Sequence, residues 1–159
     1  MDALKNSRNQ LLAVAFLCIL SIVLALYLQI YEMELPCPLC VLQRYAFIAI
    51  AFFCVAAVCL KRIRLFALLG AIASFVGAYL AGYQLWVIAH PSIQCGRDAL
   101  EEAVNRFFLA DLAPVLFKAE SLCSDVPQPF MVLNPPQWAL VWFVVFAVVL
   151  IRLALKKGA

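Results

Sequence analysis

The sequence predicts an all-α membrane protein: a four-transmembrane-helix bundle with both termini cytoplasmic and a long periplasmic loop containing a short amphipathic helix. Three observations predict it. Of 159 residues, 67% are hydrophobic and 13% charged, with a mean hydropathy of +1.02, whereas soluble domains carry about 45–50% apolar and about 25% charged residues. Four apolar stretches are free of charge. The cations gather at one set of ends of those stretches and the acids at the other.

The first apolar stretch covers 11–31. The second covers 45–60 and lengthens to 38–60 if its helix begins near Pro38. The third covers 65–89. The fourth covers about 130–151, its helical part following Pro135-Pro136, which gives a span of about 136–152. A spanning helix needs about 20 apolar residues, because lipid leaves backbone groups no partner outside their own segment. Lys5 and Arg8 ahead of the first stretch resemble a secretion signal, but the apolar run is long and no A-x-A-like site follows, so a retained helix is expected. The whole chain, 1–159, reads as a single membrane domain.

Charge sets the expected orientation. Lys5, Arg8, Lys61, Arg62, Arg64, Arg152, Lys156 and Lys157 lie on one side with a single acid, Asp2. Arg44, Arg97, Arg106 and Lys118 lie on the other, with all remaining acids. The positive-inside rule then puts both termini and the 61–64 turn in the cytoplasm. The outward loops are about 32–40 and 90–135. The net charge of +3 gives no reason to expect a nucleic-acid partner.

Seven cysteines sort by the same division. Cys18, Cys54 and Cys59 fall within the spans or at their cytoplasmic end and read as small packing residues. Cys37, Cys40, Cys95 and Cys123 all fall on the outward side, where an oxidising compartment permits two disulfides. Cys37-Pro38-Leu39-Cys40 is the pair with a reactive pattern. Proline favours the first helical position, which makes Cys37 a helix cap and puts Cys40 in the first turn. Unbonded N–H groups and the helix dipole there stabilise a thiolate. Arg44 follows one turn later on the same face. Its charge sits close to lipid, which implies either an assigned role or a side chain that snorkels to the headgroups.

Two structural alternatives stand beside this. The four outward cysteines could hold zinc, although Cys95 and Cys123 are too far apart to supply a second tight pair. The C-x-x-C could instead be a staple, although so small a ring is strained and reducible.

The loop 90–135 opens with His90, the only histidine, at the end of the third span. Asp98 and Glu101 resemble a capping box opening a helix through about Leu112. Its apolar positions Leu100, Val104, Phe107 and Phe108 suit either a membrane surface or a cap packed on the bundle. Cys123 follows in a small polar stretch, and Pro127, Pro129, Pro135 and Pro136 keep the return extended. In the third span, Gly70, Ser74, Ala78 and Gly82 at four-residue steps, with Gly77 and Ala81 beside them, suit close helix packing.

Taken together, these residues resemble the DsbB family of bacterial disulfide-bond formation proteins. The likeness covers the four spans, the C-x-x-C in the first outer loop and the spaced pair in the second. The stretch Cys37-Pro-Leu-Cys40-Val-Leu-Gln-Arg44 matches the family's CxxC-x-x-x-Arg. The resemblance implies a multi-pass protein of the bacterial inner membrane that reoxidises a periplasmic DsbA-like thiol oxidase. It implies that Cys95 and Cys123 exchange with that partner and that Cys37 and Cys40 reduce a membrane quinone, ubiquinone or menaquinone. Cys40 would be the thiolate beside the quinone and Arg44 its support. The family often carries a histidine near the end of the third span. His90 there is either a quinone hydrogen-bond donor or a solvated helix end. A strongly oxidising partner needs an acceptor of still higher potential, each 30 mV of gap being about 1.4 kcal/mol for two electrons. The competing readings are a carrier of reducing equivalents outward, for which no second C-x-x-C exists, and a four-span scaffold stapled by two disulfides.

Overall fold

A computed structural model describes residues 2–31, 35–90, 97–121 and 133–156, with the backbone alone at 2–5 and 97–99. Among the described residues seven helices run in the order α1 (Asp2–Tyr31), α2 (Pro38–Cys59), α3 (Ile63–Ala89), α4 (Arg97–Asn105), α5 (Phe108–Leu112), α6 (Pro114–Phe117) and α7 (Pro135–Leu155). Four of them, α1, α2, α3 and α7, are long and apolar enough to cross a membrane. Even α7, with 21 residues, extends about 31 Å at 1.5 Å per residue, matching a hydrocarbon core of about 30 Å.

Helix bounds follow local chemistry. Cys37 is extended (φ −80°, ψ 163°), Pro38 occupies the first helical position, and the Cys40 N–H donates to Cys37 Sγ at 3.1 Å. The second span therefore starts at Pro38, with Arg44 inside the helix. α2 ends on Leu60, and Lys61 takes a left-handed φ of 54° that turns the chain into α3. α3 accordingly begins at Ile63, two residues before the expected 65. α7 opens with a capping box between Asn134 and Gln137, where the Asn134 N–H donates to Gln137 Oε1 at 2.9 Å, followed by Pro135. The same helix runs on to Leu155, past the expected 152.

α2 packs between α1 and α3, and α3 packs against α7. Their common core holds Leu11, Cys18, Ile50, Cys54, Phe143, Phe146 and Leu150. Phe47 of α2 stacks on Phe143 of α7 with ring centroids 4.2 Å apart. Cys18 and Cys54 are buried in this cluster, whereas Cys59 is exposed at the end of α2. The outward faces stay apolar: Phe16, Phe52, Phe75, Tyr79 and Val144 are all exposed, as lipid-facing positions would be.

One sequence expectation is borne out in part and another is corrected. Of the small residues of α3, Gly70, Ser74, Gly77 and Ala81 are buried and Ala78 packs half-buried against the core, following the period of 3.6, whereas Gly82 has open space where a Cβ would stand. Gly77 is the tight point, where a Cβ would run into the Phe143 ring.

The helix expected from Asp98 to about Leu112 is broken. α4 ends at Asn105, Phe107 is extended (φ −71°, ψ 131°), and α5 starts at Phe108. The cause is tertiary. The Asn105 amide donates to Ala119 O (3.0 Å) and accepts from Ala119 N–H (2.8 Å), while the Phe107 ring meets Tyr45 edge-on at 5.9 Å. Leu100 and Val104 pack on the mouth of α2, which is the cap arrangement. Phe107 and Phe108 are exposed. The Asp98 side chain of the expected capping box lies outside the described residues.

Candidate active site

The C-x-x-C lies where α2 starts. Cys37 is buried and Cys40 half-buried, and both are unbridged. Around them stands an apolar wall of Leu39 and Val87, joined by Leu42, Leu80, Tyr83 and Leu100. Into this wall α3 inserts one polar side chain. Gln84, 2% exposed, donates from Nε2 to Cys40 Sγ at 3.2 Å and to Cys37 Sγ at 3.3 Å. Its Oε1 accepts from Gln43 Nε2 at 2.6 Å.

The two sulfurs are unequal. The donors reaching Cys37 favour an anion there, but opposing effects outweigh them. The Cys37 thiol is held well above its ordinary range, first by its hydrogen bond with the Cys40 side chain and then by burial. Cys37 is thus the member that keeps a proton. Cys40 is the more exposed residue of the pair.

Arg44 is buried, so it does not snorkel to headgroups. Nη2 donates to Gln29 Oε1 at 2.8 Å, and Nη1 donates to Leu116 O at 2.8 Å and to Val115 O at 3.3 Å. Gln29 Nε2 in turn donates to Val115 O at 3.0 Å. One guanidinium therefore ties α1, α2 and α6 together. Among the described residues no carboxylate pairs with it, and its charge acts on the cysteine pair.

His90 caps α3 and is exposed. Its Nδ1 lies 3.0 Å from Trp86 O and its ring lies 5.1 Å from the Trp86 ring. A carbonyl at that distance requires the hydrogen on Nδ1, which leaves the Nε2 lone pair outward in the neutral ring. The expected donor role would therefore require the imidazolium.

Cys95 and Cys123 lie outside the described residues. The chain leading to Cys123 is nonetheless fixed up to Ser121. Glu120 N–H and Ser121 N–H donate to Pro36 O (3.0 and 3.4 Å), and Ser121 Oγ donates to Leu35 O at 2.7 Å. The approach to the second cysteine pair is thus bonded to the residues just ahead of the first.

Gln29, Gln43 and Gln84 were not singled out from the sequence. The available signal was an amide inside each of three otherwise apolar spans, a placement that usually means a specific partner.

Comparison with known proteins agrees with this geometry. The family profile described as Disulfide bond formation protein DsbB matches residues 7–153. Disulfide bond formation protein B of Herminiimonas arsenicoxydans is 47% identical over 156 residues, covering 97% of this chain and 99% of that one. The protein of the same name from Cupriavidus metallidurans is 37% identical over 146 residues, 91% of each chain. That from Pseudomonas syringae pv. tomato is 40% identical over 148 residues, 91% of this chain and 88% of the relative. A membrane-spanning helix bundle, a C-x-x-C at a helix mouth and these full-length matches agree: the chain belongs to the DsbB family of disulfide bond formation proteins, which are oxidoreductases.

Proposed function

We propose that this chain is a thiol:quinone oxidoreductase of the bacterial inner membrane that reoxidises a periplasmic DsbA-like thiol oxidase and passes the electrons to a membrane quinone. One observation carries the reading. A cysteine pair sits at the start of a membrane-spanning helix, against an apolar wall, one turn from a buried cation that no described carboxylate neutralises. Both termini and the 61–64 turn face the cytoplasm, and the sulfurs face the periplasm, in keeping with the charge division.

Cys95 and Cys123 form the pair that meets the partner. The partner's thiolate attacks Cys95, the Cys95–Cys123 bond breaks, and a mixed disulfide forms. The partner's second thiol then displaces Cys95, so partner and loop have exchanged one disulfide for two thiols. Those thiols reduce Cys37–Cys40 by a second exchange. One residue, Leu122, separates Ser121 from Cys123, two steps of chain or about 7 Å at most when extended. The bonds from 120–121 to 35–36 therefore shorten the search between the pairs.

Cys37 and Cys40 close the cycle. The Cys40 thiolate and the Cys37 thiol form one S–S bond, releasing two electrons and the Cys37 proton. A bilayer quinone supplies the acceptor for two electrons and two protons, the second proton coming from solvent. The residues fit that group. Leu42, Leu80 and Tyr83, half-buried beside the pair, offer an apolar face to a ring, and Arg44 offers positive charge to an oxygen gaining electrons. His90 completes the set at the α3 end, donating through Nε2 when protonated.

Thiol trapping tests the order of the pairs. With a reduced partner whose second thiol has been replaced, the chain carrying the Cys95–Cys123 disulfide should accumulate a mixed disulfide through Cys95, with Cys123 released as the thiol, and Cys95→Ala should accumulate none through the loop. A mixed disulfide through Cys37 in the Cys95→Ala protein would overturn the assignment.

A further inference from the structure

We propose that Gln84, oriented by Gln43, is a working part of the redox centre: its amide clamps both sulfurs of the Cys37–Cys40 pair in the reduced state and so sets the pair's reduction potential. The inference rests on the reading of Cys37–Cys40 as the pair that is cyclically oxidised and reduced.

The geometry is specific. The Gln84 Nε2 carries two hydrogens, and two sulfurs lie within hydrogen-bond reach, at 3.2 and 3.3 Å. Its oxygen is engaged by Gln43 Nε2 at 2.6 Å. With Gln43 presenting its nitrogen, the Gln84 oxygen is held on the Gln43 side and the Gln84 nitrogen on the cysteine side. Gln84 is 2% and Gln43 5% exposed, so neither amide has water as a substitute partner. An amide placed in a span without a partner is costly, and here both are matched across α2 and α3.

The chemistry follows from what each redox state can accept. A thiolate is a strong acceptor, and hydrogen bonds to a charged form favour that form. A disulfide sulfur is a poor acceptor. The clamp therefore stabilises the dithiol more than the disulfide and raises the potential of the pair, which favours its reduction by the loop cysteines. It also keeps both sulfurs on one donor, near each other, when the S–S bond is open. Gln84 touches the reacting atoms; Gln43 is a positioning residue that acts through it.

The test is an equilibrium titration of the full chain in detergent against a dithiothreitol redox buffer. It uses a Cys95→Ala/Cys123→Ala background, so that only Cys37–Cys40 exchanges. In that equilibrium two electrons and two hydrogens pass between dithiothreitol and the pair. Gln84→Met keeps volume and removes the donors. It is expected to shift the equilibrium about tenfold toward the disulfide, about 30 mV by the two-electron relation. Gln43→Met should shift it in the same direction by less, and the double variant should shift no further than Gln84→Met, because the two act through one contact.

A Gln84→Met potential within twofold of the parent equilibrium overturns the proposal, since a merely structural amide would change stability and leave the potential in place. If Gln84→Met fails to fold, an unshifted Gln43→Met overturns it instead. Quinone reduction is measured separately on the parent: its absence refutes the oxidoreductase reading while leaving the potential shift to be judged by itself.

Discussion

Arg44 commits its guanidinium to architecture while keeping its charge. The planar fork reaches Gln29 on α1 and two carbonyls of α6 at once, a geometry an ammonium cannot copy. Arg44→Lys should keep the cation beside the cysteines and lose part of the tie. The expected cost is about 1–3 kcal/mol from buried acceptors left short of a donor. Unfolding followed by helical circular dichroism checks the cost, and faster amide exchange at 115–117 locates it. Quinone reduction should survive better in Arg44→Lys than in Arg44→Met.

Some of this site was legible in the sequence. Pro38 directly after Cys37 announced the helix start and the cap, because proline fixes both. The amide network was not legible, because Gln43 and Gln84 stand 41 residues apart and Gln29 and Arg44 stand 15 apart. Local pattern does not encode which distant side chains meet.

At the scale of elements, α3 is the test piece. A Cβ at Gly77 would overlap the Phe143 ring, which is itself stacked on Phe47. Gly77→Ala should therefore lower stability by about 1–3 kcal/mol, the range for overpacking a filled core, whereas Gly82→Ala should be tolerated because its surroundings are open. Thermal unfolding of the two variants side by side measures the difference.

The loop offers a second test. Asn105→Ala removes both bonds to Ala119 and should speed amide exchange across 118–121 while leaving the four spans intact. The sequence announced helical spacing from Asp98 to Leu112 but not its break. Spacing alone carries no record of the Asn105–Ala119 latch or of the Tyr45 ring that Phe107 meets.

At the scale of the molecule, length and apolar composition made the four long helices legible, because a bilayer permits few other solutions. The orientation proposed from the cation division carries a prediction. Cys59 is exposed at the α2 end beside Lys61 and should react with impermeant maleimide only in inverted vesicles. Cys40 and Cys95 should react only from the opposite side, after reduction. Labelling of Cys40 and Cys95 from opposite sides would contradict the arrangement.

The central claim is that electrons leave the protein through Cys40. Its most direct test is quinone-dependent oxidation of a reduced DsbA-like partner by the purified protein. The native chain should sustain turnover with quinone and none without it, and Cys40→Ser should abolish turnover while Cys59→Ser leaves it unchanged. Full turnover by Cys40→Ser would contradict the account.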